Sequence, residues 1–383
     1  MSELLEITTM KSRDLLQYID RNLFIGKVIV LYGTRRAGKT TLVQHIMDKH
    51  STLSTKYFNC EDLITQQQLG TTNSEALYNV LGKHDLVIMD EAQYIEKIGL
   101  TLKIINDTYP HIQIIATGSS SFDIANKLGE PLVGRSRNFT LYPFSLKELN
   151  YDFIKLDSNL DNILRFGLYP TVVEKTEEEA KEELMNLLNG YLYKDILELE
   201  GIKHSKTLIE LLKALSLQVG NEVSYSELAN KLGISVNTVI RYIDLFEKCF
   251  IIFTLSAFSR NLRNEVGIKS KKIYFYDLGV RNVIINNFSP LDMRNDVGAL
   301  WENFCIVELI KKKANSRLFT NNYFWRTYSQ QEVDFIEEYD GKLHAYEFKY
   351  NEKAKVKIPK IFTETYDASV EVVNRSNYYR FLL

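Results

Sequence analysis

Gly33 to Thr40 reads GTRRAGKT, with two glycines five positions apart followed at once by a lysine and a threonine. Glycines at that spacing let backbone N–H groups curl around phosphate oxygens, the lysine reaches the β- and γ-phosphates, and the hydroxyl holds magnesium. Gly33, Thr34, Arg35, Arg36, Ala37, Gly38, Lys39, Thr40 and Thr41 are therefore the expected ATP contacts. Further on, LVIMDEA runs four apolar residues into Asp90 and Glu91. Asp90, with Thr40, is expected to hold the magnesium, and Glu91 to polarise the water that attacks the γ-phosphate. Ser119, in IIATGSSS, reads either as a sensor of the γ-phosphate or as part of a Gly/Ser turn. GRSR sets Arg135 and Arg137 ahead of another strand. Arg135 reads either as a catalytic arginine reaching the γ-phosphate of a second copy, which implies a homo-oligomer, or as a surface residue.

A second set of candidates lies near the end of the chain. In HAYEFKY, side chains alternate across a strand, so Glu347 and Lys349 share one face while Tyr346 and Phe348 share the other. EVDFI offers Asp334 on a neighbouring strand, and the apolar helix GALWENFCIVELI carries Glu302. Asp334 and Glu347 together are expected to hold a second Mg2+ or Mn2+, with Lys349 positioning the attacking water. Glu-x-Lys spacing on its own also describes an ion pair on a solvated strand face.

The elements that must carry these residues follow from the apolar pattern. VIVLY (28–32), KYFNC (56–60), LVIMD (86–90), IQIIAT (112–117) and NFTLY (138–142) are short strands separated by helix-length segments, which predicts a parallel sheet covered by helices. Residues 146–215 turn helical. SYSELANKLGISVNTVIRYIDLFEKCFII then reads as a helix-turn-helix leading into the strand of a winged helix. Ser224 and Ser235 are the expected caps, Gly233 the turn, Val239, Ile240 and Ile243 the inward face, and Asn237, Thr238 and Arg241 the outward one. Arg260, Arg263, Lys269, Lys271, Lys272 and Arg281 form a locally basic stretch interleaved with aromatics, readable as a phosphate-binding patch or as a solvated rim.

Composition limits the alternatives. Forty-seven basic residues face 49 acidic ones, so a polyanion partner must be met by local patches. No run of about 20 apolar residues appears, so neither a membrane span nor a signal peptide is expected and a cytoplasmic location is. Cys60, Cys249 and Cys305 stand far apart and form no zinc-ligand spacing.

GTRRAGKTTL, LVIMDEAQ, TGSSS and LVGRSRNFTLYPFSLKEL, together with FGLYP and the C-terminal GALWENF, EVDFI and YEFK, resemble the AAA-type ATPases of bacteria and archaea whose C-terminal domain of unknown function is related to PD-(D/E)xK nucleases. The resemblance implies an α/β chain in four parts: a P-loop NTPase core with an AAA-type parallel sheet (1–150), a helical lid or linker (151–215), a winged helix (216–285) and an α/β nuclease-like domain (286–383). Glu302, Asp334, Glu347 and Lys349 match the nuclease pattern residue by residue. The expected function is that of a magnesium-dependent ATPase acting on nucleic acid, with DNA the expected form and the C-terminal domain either a metal-dependent nuclease or a structure-specific binding domain. The alternative is a nucleotide-controlled scaffold whose C-terminal domain is a non-catalytic interaction module.

Overall fold

The computed structural model describes residues 11–118, 132–192, 205–258, 271–327 and 331–383. Its N-terminal part is a five-stranded, wholly parallel sheet in the order β2-β3-β4-β1-β5. The strands are β1 (Val28–Gly33), β2 (Thr55–Asn59), β3 (Leu86–Asp90), β4 (Gln113–Thr117) and β5 (Ser136–Leu141), close to the expected segments. Alternation along the strands feeds two cores. Ile29, Leu31 and Ile88 pack with Leu42, Val43 and Ile46 of α2 (Lys39–Lys49) and with Ile19 of α1 (Leu16–Asp20). Val28, Val30, Val87 and Met89 pack on the other face. They meet Leu69 of α3 (Leu63–Leu69), Leu77 and Leu81 of α4 (Ser74–Leu81) and Leu102 and Ile105 of α5 (Ile98–Thr108). Helices on both faces are what strands apolar on both faces require.

Helices α6 (Leu146–Leu149), α7 (Phe153–Phe166), α8 (Glu177–Leu187) and α9 (Ser205–Ser216) follow. In the expected helix-turn-helix, α10 (Tyr225–Leu232) is capped by Ser224 and ends at Gly233 in the left-handed region, and α11 (Val236–Lys248) is capped by Ser235. Val239, Tyr242, Ile243 and Phe246 form the buried stripe of α11, whereas Ile240, expected inward, is half exposed. One residue beyond Val239 on a 3.6-residue helix, it is turned by about 100° from that stripe.

The second sheet has seven strands in the order β12-β11-β10-β9-β7-β8-β6. β6 (Glu222–Val223), β7 (Ile252–Ala257) and β8 (Lys271–Phe275) flank and follow α10 and α11. β9 (Asn321–Arg326), β10 (Glu332–Tyr339), β11 (Lys342–Phe348) and β12 (Val370–Val373) come from the C-terminal segment. β7 runs parallel to β9, so the two segments share one sheet. Helices α12 (Leu278–Ile284), α13 (Val297–Asn315), α14 (Lys360–Tyr366) and α15 (Tyr378–Leu382) complete this part, and Trp301 and Phe304 of α13 lie in its main core. β10 and β11 form a hairpin in which Phe335 faces Tyr346, a register that brings Asp334 beside Glu347. No helix among the described residues is long and apolar enough to cross a membrane.

Candidate functional site

The loop after β1 has a backbone that side chains would obstruct. At Gly33 a Cβ would lie 2.0 Å from the Leu141 carbonyl of β5, and Gly38, at φ 95, enters α2 in the left-handed region. Lys39 is buried, and its ammonium donates to the Gly33 and Thr34 carbonyls at 3.2 Å each. The Thr40 hydroxyl donates to Asp90 at 2.8 Å. Asp90 also accepts from the Tyr57 hydroxyl at 2.7 Å and from the Thr117 hydroxyl, so three hydroxyls orient this buried carboxylate. Burial, followed by the hydrogen bond to Asp90, raises the Tyr57 pKa and keeps the phenol a donor.

Glu91 follows in the left-handed region at φ 54, with its N–H on the Thr117 hydroxyl at 3.0 Å. Its carboxylate accepts from Gln93 at 2.6 Å. Arg35 lies 4.0 Å from Glu61, and Arg36 reaches Glu183 of α8 at 3.4 Å. Thr41 is exposed on the first turn of α2, and Ser119 lies outside the described residues. Arg135 sits in the turn just before β5, where its carbonyl accepts from Val28, and its side chain pairs with Asp107 at 2.7 Å. Since the nucleotide loop leaves the opposite end of β1, a strand length of roughly 17 Å separates Arg135 from its own loop. Sequence reasoning passed over Tyr57, Gln93 and Thr117. For Thr117 the available signal was a hydroxyl at the end of an apolar strand; Tyr57, in the middle of β2, gave none.

The four C-terminal candidates come together, with company. Lys349 lies 2.6 Å from Glu347 and 3.4 Å from Asp334, which also accepts the Phe348 N–H at 2.8 Å. Buried Lys272, from β8, pairs with Glu302 at 3.2 Å and with Glu332, while the Tyr274 hydroxyl donates to Glu302 at 2.5 Å. Burial raises Glu302 to about 7, Lys272 opposing and Asp334 adding to the shift. Burial, then Asp334, also raises Glu347. Burial works against charge on Lys272, but Glu302, Glu332 and Asp334 outweigh it and hold the pKa above the usual lysine value.

The positions where a cation would join these carboxylates thus hold two ammonium groups, and among the described residues no three His, Cys, Asp or Glu form a group able to hold a metal. The donors expected for a second metal, Asp334 and Glu347, share the single ammonium of Lys349. Lys272 and Arg281, expected in a surface basic patch, are both buried; Arg281 pairs with Asp296 at 2.5 Å. Arg260, Arg263 and Lys269 lie outside the described residues.

A buried polar chain runs from the nucleotide loop toward this cluster. The Arg13 guanidinium donates to the Ala37 carbonyl of the loop at 3.2 Å and to Glu148 of α6 at 3.0 Å. On the same short helix as Glu148, the Leu146 N–H donates to Glu308 of α13 at 2.8 Å. Lys311, also on α13, donates to Glu308 at 2.9 Å and to the Phe144 carbonyl at 3.0 Å. α13 is the helix that carries Glu302.

An AAA domain model matches residues 26–150, the stretch that holds this loop, Asp90 and Glu91. These residues are a P-loop ATPase domain. Models for two domains of unknown function match the rest, DUF8612 over residues 157–291 and DUF4143 over 297–380. The chain is similar to the uncharacterized protein MJ1544 of Methanocaldococcus jannaschii, 28% identical over 341 residues that cover 83% of this chain and 74% of that protein. It is also similar to the uncharacterized protein Rv2008c of Mycobacterium tuberculosis, 26% identical over 341 residues, 88% of this chain and 73% of that one. Among solved structures it is similar to the Walker-type ATPase PABY2304 of Pyrococcus abyssi, with a TM-score of 0.47 and 17% identity over 70% of this chain and 93% of that one. The ATPase domain therefore precedes two segments joined in one sheet.

Proposed function

We propose that this chain is a magnesium-dependent ATPase that acts on nucleic acid, with DNA the expected form, and that its C-terminal sheet binds that partner rather than cutting it. The observation that carries the ATPase reading is the Thr40 hydroxyl on Asp90 at 2.8 Å, at the mouth of a loop with Glu91 next in sequence. Thr40 and Asp90 supply the hard oxygen donors that magnesium prefers. Magnesium, when bound there, neutralises charge on the β- and γ-phosphates. Lys39 then exchanges the Gly33 and Thr34 carbonyls for phosphate oxygens. Glu91 leaves Gln93 to accept a proton from the attacking water, since a carboxylate bound by an amide donor is a poorer base. Arg135 can serve only the nucleotide of a second copy, given its place at the far end of the sheet.

Two features support a nucleic-acid partner. The capped α10–α11 pair followed by strands β7 and β8 has the outline of a winged helix, with Asn237 and Arg241 exposed. The polar chain from Arg13 to Lys311 gives nucleotide state a route to the C-terminal sheet. Support for binding without cutting comes from the lysines: buried Lys272 pairs with Glu302 and Glu332, and Lys349 with Asp334 and Glu347, so an ammonium already lies against each carboxylate of the cluster. The experiment is single-turnover hydrolysis with Lys39→Ala and Glu91→Gln proteins. Lys39→Ala should lose ATP binding, while Glu91→Gln should bind ATP and hydrolyse it about 10²- to 10⁴-fold more slowly. Normal turnover by Glu91→Gln would refute the assignment.

A further inference from the structure

Strand β5, the last in its sheet, and the C-terminal end of α13 enclose a cavity of about 220 Å3 that neither the nucleotide loop nor the Glu302 cluster uses. Lys313, Arg317, Thr140, Tyr142 and Asn322 are among its walls, and none of the described lining residues is acidic, although carboxylates outnumber cations in the chain. Arg317 lies over the Phe139 ring at 4.7 Å and the Phe319 ring at 5.4 Å, and donates to the Asn138 carbonyl at 2.9 Å. It takes the left-handed region, φ 56, which costs a residue other than glycine backbone energy. Burial, and then the neighbouring Arg137, lower its pKa. Among the described residues neither arginine has a carboxylate partner, and the Arg137 side chain has no hydrogen bond. Like charges brought together without a counter-charge repel, so an anion shared between them would relieve the arrangement. Phe319 is 80% exposed, presenting an aromatic face beside these cations.

We propose that this groove binds a single strand of nucleic acid, with a phosphodiester at Arg137 and Arg317 and one base stacked on Phe319. The planar guanidinium fork suits phosphate oxygens, and an exposed ring beside it suits an unpaired base. Within a duplex the bases stay stacked on each other and cannot reach the ring. An acidic protein segment would satisfy the arginines but leave Phe319 without a planar partner. The inference deepens the nucleic-acid reading above and rests on it. An occupant would touch the ATPase domain through β5 and the C-terminal sheet through α13 at once.

The test uses the whole chain in fluorescence anisotropy against a labelled oligothymidylate and a labelled duplex. Phe319→Ala, an exposed position, should weaken single-strand binding about 5- to 100-fold, spare the duplex and leave the salt dependence alone. Arg137→Gln with Arg317→Gln should reduce the slope of log K against log salt by about 0.7 for each lost phosphate contact. Basal ATP turnover of the Phe319→Ala protein should be unchanged. Single-strand binding that survives all these substitutions would overturn the groove while leaving the nucleic-acid reading intact. Absence of binding by the unaltered protein would overturn both. Equal loss of duplex binding in Phe319→Ala would overturn the stacked base, and capture of polyglutamate with the same Phe319 dependence would assign the groove to acidic protein.

Discussion

Replacing Lys311 by methionine should destabilise the junction between the ATPase domain and the C-terminal sheet more than replacing Lys311 and Glu308 together. Both side chains are 2% exposed, with the ammonium 2.9 Å from the carboxylate. Lys311→Met alone leaves Glu308 buried without its counter-charge, a change that costs about 3–5 kcal/mol. Adding Glu308→Gln removes that charge, and the amide oxygen still accepts from the Leu146 N–H. The Phe144 carbonyl is then the main group without a partner, at about 1–3 kcal/mol. The double variant should therefore recover about 2 kcal/mol relative to Lys311→Met, the difference between the midpoints of those two costs. Urea unfolding followed by tryptophan fluorescence, which comes from buried Trp301 on the same helix and from Trp325 in β9, reads the change in the C-terminal part. A double variant less stable than Lys311→Met alone would show that the pair acts through packing and not through charge.

The Glu302 carboxyl gives a pH signature. Raised from 4.5 to about 7, chiefly by burial, it keeps in the folded chain a proton that the unfolded chain releases. Its contribution to stability should thus be full below about pH 4.5 and fall away toward about pH 7, and Glu302→Gln should flatten that slope. An unchanged slope in the variant would remove Glu302 as its source. For the metal question, Mn2+ added to Lys39→Ala protein without nucleotide should leave the unfolding of the C-terminal sheet unchanged. A saturable stabilisation abolished by Asp334→Ala would restore the divalent site in place of the ammonium groups.

Local signals made the ATPase domain legible in the sequence. Each strand is a short apolar run, and GTRRAGKT and LVIMDEA place their chemistry within a few residues of a strand end. Caps and turns were equally local, as Ser224, Gly233 and Ser235 demonstrate. What the sequence hid depends on contacts between distant segments. Lys272 lies in a lysine-rich stretch that reads as surface, and only the pairing of β8 within the second sheet carries it to Glu302 and Glu332. Arg13 and Lys311 meet their partners across more than a hundred residues, and no spacing rule foretells such bonds. Ile240 was misplaced because an apolar residue is not obliged to be buried, so type alone does not fix its side of a helix. Asp334 beside Glu347 was readable because a hairpin fixes its own register.

Steady-state ATP turnover, measured with and without single-stranded nucleic acid under matched salt and with Lys39→Ala protein as the blank, tests the central claim most directly. Turnover that rises with added strand, saturates, and disappears in the blank is the predicted result. A rate that is the same with single strands, forks and hairpins as without them would contradict the claim and leave a nucleotide-controlled scaffold instead.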